Sequence, residues 1–282
     1  MELSKNKISK IINKKLKKPL NDGINYNVNK LNNECRTKHK ETISLLTQAN
    51  MTLKSVERMY ASCNIVDGNT LLRSSFEYIM MGMMIQFEDN VYKEFINLSI
   101  DDDNGRDSTK IQKLINRFKT YLNKISEPLF KELNRDEKGK MLNELYDKLC
   151  KFTHSSLFVS TITEVKSKDE KEILTYLNFQ NYYFVKLLLF TSLKYFTNDD
   201  KHYIELDNLA FSILFYYLEM LYKIKDKEHI FEKYNDFLYV NDNIKYFNNQ
   251  KNEAGKLKEE MISLKEDIDD QKFIDGLKKF LN

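Results

Sequence analysis

The sequence predicts an all-α protein, a helical bundle, on three observations. Seven Gly and two Pro in 282 residues fall well below the usual frequencies of about 7% and 5%, so the many turns of a β-sandwich or barrel lack their residues. Apolar side chains recur three and four residues apart through most of the chain, the period of a helix with one face buried. Charged residues make up 31% beside 41% hydrophobic ones, which excludes a disordered chain and fits amphipathic helices sharing a core.

In chain order, Ile8, Ile11, Ile12 and Leu16 lie at helical spacing among seven Lys, so residues 1–18 form a basic amphipathic helix that Pro19 closes. Asp22-Gly23 marks a break over 21–27. From Val28 to Cys63 there is neither Gly nor Pro, and Leu31, Leu45, Leu46, Leu53, Val56 and Tyr60 predict one long helix. Asp67-Gly68-Asn69 is a turn, with Asn69 or Thr70 capping a strongly apolar helix that runs to Phe87. Its apolar character on most sides puts it at the bundle centre, where the Met80-Met81-Gly82-Met83-Met84 cluster is packing. Asp101 to Gly105 is an acidic turn, and Ile111, Leu114, Ile115, Phe118 and Leu122 mark a further helix, with Pro128 near its end. Asn134 or Asp136 starts the helix of Met141, Leu142, Leu145, Leu149 and Phe152, and Ser155, Ser156 and Ser160 indicate a break after it. Leu174 to Phe196 and Tyr203 to Ile224 form an apolar helical pair around the turn Thr197-Asn198-Asp199-Asp200, their Tyr and Phe serving as core or dimer contacts. Ile230 to Tyr246 is rich in Asn and aromatics. Leu257, Met261, Leu264 and Ile268 then follow a four-three-four spacing, that of a short coiled coil. Three regions result: a basic arm over 1–26, a bundle over 27–246 and a charged C-terminal helix over 247–282 that suits pairing with a protein partner.

Net charge is +3, but residues 1–40 hold eleven Lys or Arg against Glu2, Asp22 and Glu34. That local excess fits anionic partners, either nucleic acid or a lipid surface. Cys35, Cys63 and Cys150 form no C-x-x-C, so neither a disulfide framework nor a zinc site is indicated. Without an apolar stretch and a small-residue cleavage site at the start, the N-terminus is no secretory signal, and reduced thiols predict a cytoplasmic protein. Lys186 and Lys194 interrupt the apolar run 182–196, and Glu219 interrupts 209–222, so no membrane span is expected. A phosphate-binding Gly loop, H-E-x-x-H, G-x-S-x-G and a calcium loop are all missing. None of the four His is spaced from another as a helical metal pair, so no metal and no cofactor are expected.

Two stretches depart from generic helix. In Leu71-Leu72-Arg73-Ser74-Ser75-Phe76-Glu77-Tyr78, Arg73 and Glu77 stand one turn apart on an otherwise apolar helix, where charge is costly to bury unless paired. The plainer reading is a buried structural ion pair. In Tyr146-Asp147-Lys148-Leu149-Cys150-Lys151-Phe152-Thr153-His154-Ser155-Ser156, an imidazole and several hydroxyls follow a helix C-terminus, whose dipole favours the protonated ring. The plainer readings there are a helix-end histidine and solvated lysines.

Together, an R-S-x-x-E helix and a later Tyr-x-x-Leu-x-x-Phe-Thr-His-Ser-Ser helix resemble the HEPN superfamily, particularly its bacterial abortive-infection-type and uncharacterised branches. The resemblance covers roughly residues 45–225. It implies a bundle in which paired protomers bring an Arg and a His, four to six residues apart, to a cleft where RNA is cut without metal. His154 matches the family's His, and Arg73 and Glu77 match the Arg and Glu of the preceding helix. Where the family's second Arg stands, this chain has Lys148, a point charge without the guanidinium fork that grips phosphate.

The resemblance therefore implies a metal-independent endoribonuclease, a homodimer acting on RNA as a toxin or phage-defence effector. In that reading the catalytic residues are His154, Lys148, Arg73 and Glu77. Lys151, Tyr146, Asp147 and Ser155 contact substrate or orient the imidazole. Lys148 in the Arg position equally fits a reading from another class, a catalytically inert helical module that binds protein or nucleic acid through its basic arm and C-terminal helix. Association of the arm with a membrane surface is a third.

Overall fold

A computed structural model describes residues 13–34, 37, 39–93, 135–152 and 168–204. The chain divides into two units, Leu16–Lys225 and a second made of Met1–Lys15 with Asp226–Asn282. The helices described below lie in the first unit, and the described residues contain no strand. The helix expected over 111–122, the segments after Ile204 and the coiled-coil spacing near the C-terminus lie outside the described residues.

The described helices are α1 (Lys18–Glu34), α2 (Lys40–Ala61), α3 (Ile65–Phe87), α4 (Arg135–Lys151) and α5 (Lys168–Thr197), and a π-turn over Asn13–Lys17 leads into α1. α3 packs against α2, α4 and α5, while α5 also covers α1 and α2. The all-α class read from composition is what the protein adopts. α3 is the central helix, as its apolar sequence predicts: Leu72, Phe76, Ile79, Met80, Met83, Met84 and Ile85 are fully buried. Each such side chain contributes about 1.5–3 kcal/mol of transfer free energy.

Pro19 does not end the first helix, and 21–27 is not a break. Proline inside a helical run removes one backbone bond and crowds the preceding turn, and the wider π-turn over Asn13–Lys17 is the kind of backbone adjustment that makes room for the ring. Leu16, Leu20, Ile24 and Leu31 form one buried stripe across this stretch. Gly23 sits on that stripe because α5 comes close: a Cβ there would stand 2.5 Å from Phe190 Cε2. This glycine reflects packing rather than turning.

The long helix predicted over 28–63 is two helices, separated between Glu34 and Lys40. The turn expected at Asp67-Gly68-Asn69 lies earlier, at Ser62–Asn64. There Cys63 takes the left-handed conformation, with φ +57°. Its amide donates to the Tyr60 carbonyl and that of Asn64 to the Met59 carbonyl, the paired bonds that close a helix C-terminus. Asn64 then caps α3, its Oδ1 accepting from the Asp67 amide while its Nδ2 donates to Asp67 Oδ2 at 2.6 Å. Gly68 is helical and lies against the Tyr60 ring, where a Cβ would stand 2.4 Å from Cε1. Asn69 is no cap. It is buried, donating to the Ile65 carbonyl and accepting from Tyr60 Oη.

The end of α5 is fastened to α1. Thr197 Oγ1 donates to Asn27 Oδ1, Asn27 Nδ2 donates to Asp199 Oδ2 at 2.7 Å, and Lys30 Nζ caps the Thr197 carbonyl at 2.8 Å. His202 Nδ1 lies 2.8 Å from Asp199 Oδ2, and its ring meets Tyr26. Burial raises the Asp199 carboxyl pKa, but bonds from Asn27, the Lys201 amide and His202 outweigh it and hold it below the usual value. Among the described residues no helix is long and apolar enough to cross a membrane.

Candidate functional site

The facing surfaces of α3 and α4 carry the first motif. On α3, Arg73 and Glu77 are one turn apart, and the chain buries them where the rest of the helix buries Leu and Met. Arg73 Nε donates to Glu77 Oε1 at 2.8 Å, with side-chain exposures of 15% and 8%. From α4, Tyr146 inserts between them: its hydroxyl accepts from Arg73 Nη2 at 3.2 Å and donates to Glu77 Oε1 at 3.2 Å. The guanidinium also lies over the Tyr146 ring, 5.4 Å from its centroid, and that ring stacks on Phe76. The result is a closed triangle of cation, carboxylate and phenol, in which each group meets the other two.

The electrostatics follow from that geometry. Burial lowers the pKa of Arg73, but the Glu77 carboxylate and the Tyr146 phenol outweigh it and raise it. Burial and the Glu77 charge push the Tyr146 phenol well above its ordinary range, so it remains a neutral donor. Cys150, one turn further along α4, joins the cluster. Burial raises its thiol against the pull of Arg73 and Tyr146.

Of the residues singled out in the sequence, the structure brings together Arg73, Glu77 and Tyr146. Tyr146 bridges the ion pair. Lys148 is half-buried on α4, while Asp147 and Lys151 are exposed. Lys148 and Lys151 occupy the last turn of the helix, where cations oppose the negative end of its dipole. Phe152 is buried, and its carbonyl oxygen lies 3.5 Å from Thr70 Oγ1. The chain thus leaves α4 beside the α3 turn that precedes Arg73. His154 and Ser155 follow in sequence and lie outside the described residues.

A second polar network went unrecognised. Lys186 on α5 is buried and donates to Tyr182 Oη at 2.8 Å. Tyr182 in turn donates to Glu57 Oε2 on α2 at 3.2 Å. The signal was present: Lys186 is the charge that breaks the apolar run 182–196, informative here for what it meets as well as for the membrane span it argues against. No group of side chains among the described residues is arranged to hold a metal ion. No protein-family model matches the chain, and no similar curated protein or solved structure was found.

Proposed function

We propose that the protein is a metal-independent endoribonuclease of the HEPN type, a dimer acting as a toxin or phage-defence effector. The observation that carries this reading is the Arg73–Glu77–Tyr146 triangle. It holds a guanidinium in fixed orientation at the helix pair whose second member runs into Lys148, Lys151 and, two residues past Phe152, His154. The resemblance in sequence supplies the reaction class and the defence setting.

In this mechanism His154 accepts the proton of an RNA 2′-hydroxyl, a task suited to an imidazole whose unperturbed pKa is about 6.5. The 2′-oxygen attacks the adjacent phosphorus, and the 5′-oxygen of the next nucleotide leaves, taking a proton. Arg73, with Lys148 and Lys151, stabilises the charge that develops on the phosphate oxygens. Glu77 and Tyr146 are positioning residues: they hold the fork of Arg73, so little reorganisation is needed as charge develops. Asp147 and Ser155 are assigned to substrate contact. The products are a 2′,3′-cyclic phosphate and a 5′-hydroxyl.

Incubation of end-labelled RNA in EDTA with the wild-type chain and with His154→Ala tests this reading. The expected outcome is cutting that leaves cyclic phosphate ends and disappears in the variant. A second reading is favoured by one observation, Lys148 where the family carries Arg: an inert module that binds RNA or protein without cutting. RNA bound but left intact by the wild type would establish it.

A further inference from the structure

We propose that Lys186, Tyr182 and Lys17, with Lys54 adding positive charge, form a binding site for a phosphate dianion, either free phosphate or the terminal monoester of a nucleotide. The argument starts from a buried charge with too little compensation. Lys186 is 6% exposed in the middle of α5, and its ammonium carries three donors. One goes to Tyr182 Oη at 2.8 Å, the one hydrogen bond this side chain makes among the described residues. Among the described residues the carboxylate that acts on it is Glu57, met through that hydroxyl, and Glu57 is also shared with Lys17, whose Nζ lies 4.0 Å from its other oxygen.

The remaining neighbours worsen the balance. Lys17 and Lys54 both act on Lys186 as like charges, so among the described residues three ammonium groups are set against one carboxylate, an excess of two positive charges. An ammonium taken out of water needs an opposite charge and filled hydrogen bonds to be tolerated. Burial, reinforced by these two lysines against the pull of Glu57, pushes the Lys186 pKa down to about 8. At neutral pH the group is nevertheless mostly charged. An anion with two charges and several acceptor oxygens would balance the cluster and take the unused donors. A dianionic phosphate monoester matches this better than the singly charged diester of an RNA backbone. Lys17 and Glu57, with side-chain exposures of 30% and 41%, place the cluster's edge at the surface. This site is independent of the nuclease reading, which concerns α3 and α4.

The test is thermal unfolding of the full chain at constant ionic strength, with inorganic phosphate replacing chloride. Parallel arms use a mononucleoside 5′-phosphate and an oligoribonucleotide with a 5′-hydroxyl. A ligand that binds only the native state raises Tm in a saturable way. The expected result is such a rise with phosphate and with the mononucleotide, its loss in Lys186→Met, and roughly tenfold weaker apparent affinity in Lys17→Gln. A nucleotide that binds at least about tenfold tighter than phosphate identifies a nucleotide as the source, and equal binding identifies free phosphate. The proposal is overturned by a rise no larger than with chloride, by a rise that persists in Lys186→Met and Lys17→Gln, or by equal competition from the 5′-hydroxyl oligoribonucleotide.

Discussion

The Arg73–Glu77–Tyr146 triangle makes its three members unequal. Removing Glu77 takes the carboxylate from a guanidinium that is largely buried, and breaking such a pair costs about 3 kcal/mol. Removing the Tyr146 hydroxyl leaves the pair intact and forfeits two hydrogen bonds of 3.2 Å, worth about 1–2 kcal/mol. Urea unfolding is therefore expected to rank Glu77→Ala well below Tyr146→Phe in stability. Lys186 gives a pH signature of opposite character to that of a paired lysine. Its folded pKa is about 8 against the ordinary lysine value of 10.5, so between those values the unfolded chain binds more protons than the folded one. By linkage, stability from this group rises as pH goes from about 8 to about 10.5, by up to about 3 kcal/mol, and it is flat below that window. Unfolding free energies across pH 7.5–10.5 should show the rise in the wild type and a flatter profile in Lys186→Met.

At the scale of elements, the turn between α2 and α3 explains where sequence reading went astray. Asp67-Gly68-Asn69 has the composition of a turn, yet it lies inside the first turns of α3, because Asn64 and Asp67 cap the helix and Gly68 admits the Tyr60 ring. The left-handed position is held by Cys63, a residue type with no turn preference, and so carries no local signal. Two substitutions in this turn are expected to act in opposite directions. Cys63→Gly relieves a strained φ and raises stability by about 1 kcal/mol, whereas Gly68→Ala drives a Cβ into Tyr60 and costs about 1–3 kcal/mol. Thermal unfolding of the two variants checks both signs. Pro19 and Gly23 misled in the same way, since both stand where helix–helix packing and a π-turn override their usual role as breakers. The helical extents of α3, α4 and α5 were legible because long runs of apolar residues free of Pro repeat their signal over many turns. So was the pairing of Arg73 with Glu77, fixed by their i,i+4 spacing on an apolar helix. The insertion of Tyr146 between them was not, because it depends on how α4 docks on α3, and nothing in the local spacing encodes that contact.

For the whole molecule, an all-α unit is built around α3, and among the described residues its buried polar groups gather at three places, the α3–α4 face, the α2–α5 face and the join between α1 and the end of α5. The first is the centre of the functional account. A brace that merely holds two helices together needs only charge and packing, while a phosphate clamp also needs the fork of a guanidinium. Arg73→Lys separates these roles, because it keeps the charge beside Glu77 and loses the fork. The most direct test is the rate of RNA cleavage in EDTA by Arg73→Lys relative to the wild type, at a temperature where unfolding shows both to be native. Loss of one preorganised donor to a developing oxyanion costs on the order of 100- to 1000-fold in rate, and a fall of that size is the result predicted. An Arg73→Lys chain that cuts as fast as the wild type, or a wild-type chain that leaves RNA uncut, would contradict the account.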